Sequence, residues 1–555
     1  MGDPHDDPHS TDDESDGVSH DMPENTALLL LFILTGLLVA HLLEIIIHRY
    51  HIYSIPGSGA VMVVGILTGA AVNCFDNEGL GKDWKADLIF DEHLFALIFL
   101  PVIIFQSGYS LSMSHFFNRL GKILTYSFLG TFITTLFIGF SLFGISEAGL
   151  LSNVEFNLAE SLAFAALISA IDPVATLCTF GCLRVEPKLS ITIMGESVIN
   201  DAVSLALYRA FEGFVVNGYS GSSALLKQAG LFFYLVIVST LIGIVVGCIA
   251  AFQIKLVSSK MGMNVQATVI ILWSYFAYAA AESCRVSGII SSVICGIIMN
   301  HFCKKNLSKE QKAYVNKVLL LLASFFDMCI FYMAGISIAF FLSSMDYELL
   351  LWMLPLCLVG RALNIFPMSA ILNWFDSEDR ITLKEQTVMW HAGLRGAIAF
   401  SIALHFPDNN GLRDPVIDCT SMIILLSVFC LGGTTKPLLN KMGIPMGVTD
   451  THEDHLAAVK TATRNSKFKK QLQHFDKNVM RKLFIKKKMR HDSFTGLTEE
   501  LLTPPSAASQ QFNPGSHDDD DAEIKENADL GVGVVGGGGG VTLLAGENNN
   551  SANFV

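Results

Sequence analysis

Glu196, Asn200 and Asp201 interrupt an otherwise apolar run between positions 194 and 204, Met-Gly-Glu-Ser-Val-Ile-Asn-Asp-Ala-Val-Ser. A carboxylate in such a run is costly in hydrocarbon, and membrane chains keep one mainly to handle an ion or a proton. Asp201 is the expected carrier: a desolvated carboxyl group holds either a proton or a small hard cation, and that competition is enough for exchange. Ser197 lies four residues before it, on the same helix face. Carboxylate, hydroxyl and carbonyl oxygens suit cations such as Na⁺. Glu196 and Asn200 are also four apart, and a hydrogen bond between them is expected to hold Asn200 in place.

Two further stretches carry chemistry. Asp172-Pro173 sits within an apolar segment, and proline removes a backbone donor and disfavours helix at the residue before it. A helix broken there frees the Ile171 carbonyl at mid-membrane, where it and Asp172 could face Asp201. The second stretch is His391-Ala392-Gly393-Leu394-Arg395-Gly396. Its two glycines and one cation predict another break, with Arg395 compensating either Glu196 or helix C-terminal dipoles. Arg361 is a second intramembrane cation, expected to serve a structural pair or transport. Asp327 and Glu282 are expected near span ends or dimer-like faces, without a role.

These residues need a membrane around them. The chain has 555 residues, of which 51% are hydrophobic and 16% charged, against about 25% charged in soluble chains. Thirteen candidate spans lie near 26–47, 54–74, 88–108, 119–144, 158–181, 189–214, 224–255, 263–282, 286–303, 316–343, 347–374, 381–405 and 415–440. The segments around Pro56-Gly57, Asp172-Pro173 and 393–396 read as interrupted. Lys and Arg gather in alternate loops and after the last span, placing the N-terminus outside and the C-terminus in the cytosol. The fold class is therefore an all-α polytopic membrane protein. If spans 1–6 and 8–13 are inverted repeats, spans 5 and 12 correspond, and both are broken.

The expected domains are an acidic lumenal or extracellular tail at 1–24, a transmembrane exchanger domain at 25–442, a basic amphipathic juxtamembrane segment at 443–490 and a disordered cytosolic tail at 491–555. The segment 467–490 suits anionic lipids. Eleven scattered cysteines without a C-x-x-C pair indicate neither a disulfide framework nor a zinc site. No basic domain suggests nucleic acid, and no cofactor is indicated.

In combination, five motifs resemble the eukaryotic sodium/proton exchangers of the monovalent cation:proton antiporter superfamily. They are Phe99-Leu100-Pro101 through Ser107-Gly108-Tyr109-Ser110-Leu111; Ser169-Ala170-Ile171-Asp172-Pro173-Val174-Ala175; Gly195-Glu196-Ser197 with Asn200-Asp201-Ala202-Val203; Gly360-Arg361-Ala362-Leu363-Asn364; and Gly393-Leu394-Arg395-Gly396-Ala397. Gly108-Tyr109-Ser110-Leu111 and Asp172-Pro173-Val174-Ala175-Thr176 look most like the Golgi/endosomal class. The resemblance implies a bacterial sodium/proton antiporter-like fold with crossed broken helices, and a homodimer whose core moves against a dimerisation part. It also implies electroneutral exchange of Na⁺ (or K⁺) for H⁺. Carried over, Asp201 binds cation and proton, Asp172, Ser197 and Asn200 assist, and Glu196 and Arg395 support. Residues 475–485 resemble a segment that binds a calcineurin-B-like protein. Related chains often carry Glu where this one has Gln106, which removes a charge from the expected entrance funnel.

Other classes fit less well. A channel filter arranges carbonyls or charges around a symmetry axis, whereas these carboxylates cluster within one chain. An intramembrane enzyme using Asp172, Asp201 and Ser197 lacks a base histidine and a metal-ligand set. A non-transporting sensor would not need the intact Asn200-Asp201 pair.

Overall fold

The computed structural model describes residues 24–50, 55–77, 97–111, 113–217, 222–257, 262–341, 345–376, 379–408, 411–447, 478 and 480–485. These lie in the first of two compact units, Met1–Gln511; the second, Phe512–Val555, is outside the described residues. Regular structure among them is helical throughout, as a chain in lipid requires if each span is to satisfy its own backbone. Among the described residues, seven helices are long and apolar enough to cross a membrane. The elements fall on the thirteen expected segments, of which positions 54, 88–96 and 342–343 lie outside the described residues.

The helices sort into two packed groups. One, the panel, contains α1 (Glu24–Arg49), α2 (Gly57–Asn77), α3 (Leu100–Ser110), α9 (Ser222–Val257), α10 (Met263–Ser283), α11 (Gly288–Phe302) and α12 (Lys309–Phe341). The other, the core, begins with α4 (Met113–Leu124), which runs through a π-helical turn at Thr125–Gly130 into α5 (Thr131–Glu147). It continues with α6 (Leu158–Ile168), α7 (Val174–Leu183), α8 (Pro187–Asn217), α13 (Tyr347–Phe375), α14 (Leu383–His391) and α15 (Ala397–Leu404). Its last helices are α16 (Arg413–Ser427), a second π turn at Val428–Gly432 and α17 (Thr435–Met442). The breaks expected at Asp172-Pro173 and 393–396 separate α6 from α7 and α14 from α15. Pro56-Gly57 instead marks the start of α2, where a missing N–H costs no helical hydrogen bond.

The mixed loop after α13 has a clear function in the core. Asp379 pairs with Arg119 at 2.9 Å and Lys122 at 2.8 Å, and Asp376 lies 3.4 Å from Lys122. Partial burial pushes the Asp379 carboxyl up, but the Lys122 hydrogen bond and the Arg119 and Lys122 charges outweigh it and hold it below the usual carboxylate range. Asp376 and Asp379 thus neutralise the cations in the last turns of α4.

Close packing holds the panel together. A Cβ on Gly65 of α2 would lie 2.3 Å from the Tyr332 carbonyl oxygen, and one on Gly335 of α12 would lie 2.2 Å from that of Met62. The two helices therefore meet backbone to backbone, which only small residues permit in a membrane interior. Gly65→Val or Gly335→Val is expected to destabilise by about 1–3 kcal/mol, read as a lowered thermal midpoint in detergent. Gly144→Val is the control, because its Cβ would meet nothing within 4 Å. An equal loss in the control would refute this account of the packing.

Candidate ion-binding site

The two breaks touch each other. The Asp172 N–H donates to the Leu394 carbonyl at 3.0 Å, and Gly396 lies so close that a Cβ there would be 2.1 Å from Asp172 Oδ2. Asp172 Oδ1 accepts from the Val174 N–H at 3.0 Å, capping α7. The same carboxylate also meets the Ala397 N–H at the start of α15. It therefore sits between two helix N-termini, whose free N–H groups and dipoles favour an anion. Arg395 serves the opposite polarity: its Nη1 donates to the carbonyls of Ala170 at 3.3 Å and Ser169 at 3.5 Å, at the C-terminal end of α6.

Alongside the crossing runs α8. Ser197 Oγ donates to the Ile171 carbonyl at 2.9 Å, and the Asp201 carboxylate accepts from the Ile171 N–H. The two peptide groups that flank Ile171 in the α6–α7 break are thus both held by the helix that carries Asp201. Among the described residues no cation lies within ion-pair distance of Asp201, which is half-buried.

Glu196 has a different partner from the one expected. Arg361, not Arg395, grips it with both Nη atoms, the second at 3.1 Å. The two side chains are 3% and 1% exposed, and Arg361 Nη2 also donates to the Met389 carbonyl at 2.9 Å. Arg395 instead turns its Nη1 to the end of α6. Nor does Asn200 bond Glu196. Its amide donates to Thr131 Oγ1 at 2.8 Å, and its oxygen accepts from Ser204 Oγ at 3.1 Å. Gln106 is half-buried on α3 and makes no hydrogen bond to any of these residues.

Sequence reasoning missed two features. The first is a hydroxyl ladder on α4–α5. Ser127 Oγ donates to the Glu196 carbonyl at 2.9 Å, Thr131 receives Asn200, Thr134 Oγ1 donates to the Gly360 carbonyl at 3.1 Å, and Thr135 Oγ1 to Ser169 Oγ at 3.1 Å. Their spacing of three to four residues was the available signal for one helix face. The second is Asp327. It stands mid-way along α12, not at a span end, near enough to Asp172 and Asp201 for the carboxyl groups to influence one another. The rule that singled out Asp201, a lone carboxylate within an apolar run, applied equally to it.

A carboxylate helix beside two crossed, broken helices is the architecture of a secondary transporter. The chain belongs to the sodium/hydrogen exchanger family: the family model described as "Sodium/hydrogen exchanger, transmembrane" matches residues 26–441. The human protein named sodium/hydrogen exchanger 8 is 33% identical over 425 residues, covering 76% of this chain and 72% of that protein. The chicken protein of the same name is 34% identical, covering 77% and 75%, and sodium/hydrogen exchanger 5 of Arabidopsis thaliana is 29% identical, covering 84% and 91%. Among solved structures, the sodium proton antiporter MjNhaP1 from Methanocaldococcus jannaschii shares the fold with a TM-score of 0.55 at 16% identity, covering 75% of this chain and 99% of that one. The resemblance drawn from the five motifs is borne out at the level of family and fold.

Arg361→Ala strands Glu196 in the core without a counter-charge, which is expected to cost roughly 3–5 kcal/mol and to lower the thermal midpoint in detergent sharply. Arg395→Ala leaves no carboxylate unpaired and is expected to cost less. The reverse order would show that Glu196 depends on Arg395.

Proposed function

We propose that the chain is an electroneutral antiporter that exchanges Na⁺ or K⁺ for H⁺, with Asp201 as the single carrier. One observation carries this reading. Glu196 is neutralised by Arg361 and Asp172 is engaged by two helix N-termini, so of the core's three site carboxylates Asp201 alone has neither a counter-charge nor a cap. A proton or a cation completes it in turn, and the Ile171 and Ser197 contacts carry the occupied site with the core. Asn200 braces α8 against α5 rather than reaching the ion. Asp327, on the panel, attracts cations toward the carrier. Gln106 removes one further charge from the entrance and weakens that attraction.

Alternating access follows from displacing the core along the panel. The exposed apolar residues Leu34, Leu38 and Leu42 on α1 and Phe233, Ile237, Leu241 and Val245 on α9 offer faces for lipid or for a second copy, in keeping with a homodimer. The N-terminus lies on the lumenal or extracellular side and the C-terminus in the cytosol, in a Golgi/endosomal or plasma membrane. The domains run 1–24, 25–442, 443–490 and 491–555 as set out above. Within 467–490, only 478 and 480–485 fall inside the described residues. Phe484 and Ile485 are buried there, and Asn306 Nδ2 donates to the Phe484 carbonyl at 2.8 Å. This part of the region suggested for a calcineurin-B-like protein is engaged by the chain's own panel, so such a partner or anionic lipid would take the remainder. A channel is disfavoured because the carboxylates gather in one core rather than around an axis.

Full-length protein in proteoliposomes is expected to move H⁺ against an imposed Na⁺ or K⁺ gradient, without net charge movement. Asp201→Asn is expected to abolish exchange, and Asp327→Asn to keep it while raising the cation half-saturation on the order of tenfold, the effect of one unit charge at an effective dielectric of about 20. Exchange surviving in Asp201→Asn would overturn the carrier assignment.

A further inference from the structure

Eight residues beyond Asp201, about 12 Å further along α8, the helix is fastened to both helix groups at once. Tyr208 Oη donates to the His405 carbonyl at 2.9 Å, within the core. Its neighbour Arg209 turns the other way, to the corner between α10 and α11 in the panel. There Nη2 meets Glu282 Oε1 at 2.8 Å, and Nη1 donates to the Val286 carbonyl at 3.1 Å.

The corner is built to receive it. Arg285 adopts a left-handed conformation, φ 56°, which turns the chain sharply between the helices. Glu282 lies in the last turn of α10, where the helix dipole disfavours an acid. Its Oε1 instead accepts from the Gly288 N–H at 2.9 Å, at the positive start of α11. The Ser287 N–H donates to Ser239 Oγ at 2.9 Å, which ties the corner to α9. Glu282 is thereby presented rigidly to Arg209.

We infer that Arg209 and Glu282 form a latch which closes the ion path at the end of the bundle where α8 finishes, and which opens in every transport cycle. This rests on the alternating-access reading above. When the core slides along the panel, Tyr208 travels with its partner, whereas Arg209 leaves Glu282. The structure is accordingly the state closed at that face, the lumenal or extracellular one in the proposed orientation.

The test uses full-length protein in proteoliposomes. In Arg209→Gln the closed state loses its ion pair. Cation half-saturation is expected to fall roughly two- to fivefold at the lumenal or extracellular face and to rise at the cytosolic face, the range for one partly exposed pair. Arg209→Gln with Glu282→Gln should match the single variant, and Arg209→Lys should lie between it and the wild type. A merely structural pair would change both faces in the same sense, or change only the maximal rate, and that result would overturn the latch. Independently, oxidised Arg209→Cys/Glu282→Cys protein should stop exchanging and recover on reduction, with each single-cysteine variant as control for the exposed Cys284. Fully cross-linked protein that still exchanges would refute the latch alone. Wild-type protein without exchange would overturn the antiport reading and the latch with it.

Discussion

Asp172 is the residue on which the core's geometry depends. Its side chain holds the starts of α7 and α15, and its backbone N–H joins the two breaks through Leu394. Two helices interrupted at mid-membrane leave N–H and C=O groups that water cannot reach, each costing several kcal/mol if left alone. Here one anion answers the two sets of exposed donors, while Arg395 answers the exposed carbonyls of α6. Gly396 makes this possible, because any side chain there would occupy the space of the Asp172 carboxylate.

The remaining charges of the site then fall into place. Arg361 reaches Glu196 from α13 across the core, and its guanidinium satisfies both carboxylate oxygens and one more carbonyl. Desolvation of such a pair is offset by its mutual attraction and by these hydrogen bonds, although Arg361 Nε is buried without a partner. Asn200 and the hydroxyls of α4–α5 bind the same helix laterally. The π turn at Thr125–Gly130 lies within that ladder, and Ser127 and Thr131, four residues apart, both bond to α8. Of the three carboxylates at the crossing, Asp201 is the one left without an ion pair or a helix-terminus cap among the described residues.

Much of this was legible in the residues themselves. Hydropathy located the spans, and the Asp-Pro and Gly-x-x-Gly interruptions located the breaks, because both signals arise within a single segment. Asp201 was identifiable for the same reason: a carboxylate in an apolar run is conspicuous without its neighbours. Pairings between segments were not legible. Arg361 and Arg395 are both intramembrane cations, and which of them meets Glu196 depends on helix rotation and crossing, which no local pattern encodes. The placement of Asp327 was hidden likewise, since its position on α12 looks peripheral until the core is packed against it. Glu282 did lie at a span end as expected, but its partner stands 73 residues earlier in the chain.

The glycine contact between α2 and α12 bears on the site from a distance. Backbones touching at Gly65 and Gly335 leave no compliant layer between these helices, so α12 behaves as part of a stiff frame. Asp327 is mounted on that frame, whereas Asp201 and Asp172 belong to the core. In the alternating-access motion proposed above, Asp201 would change its distance from a fixed Asp327, so the energy of the carrier would depend on its place along the track as well as on its own contacts.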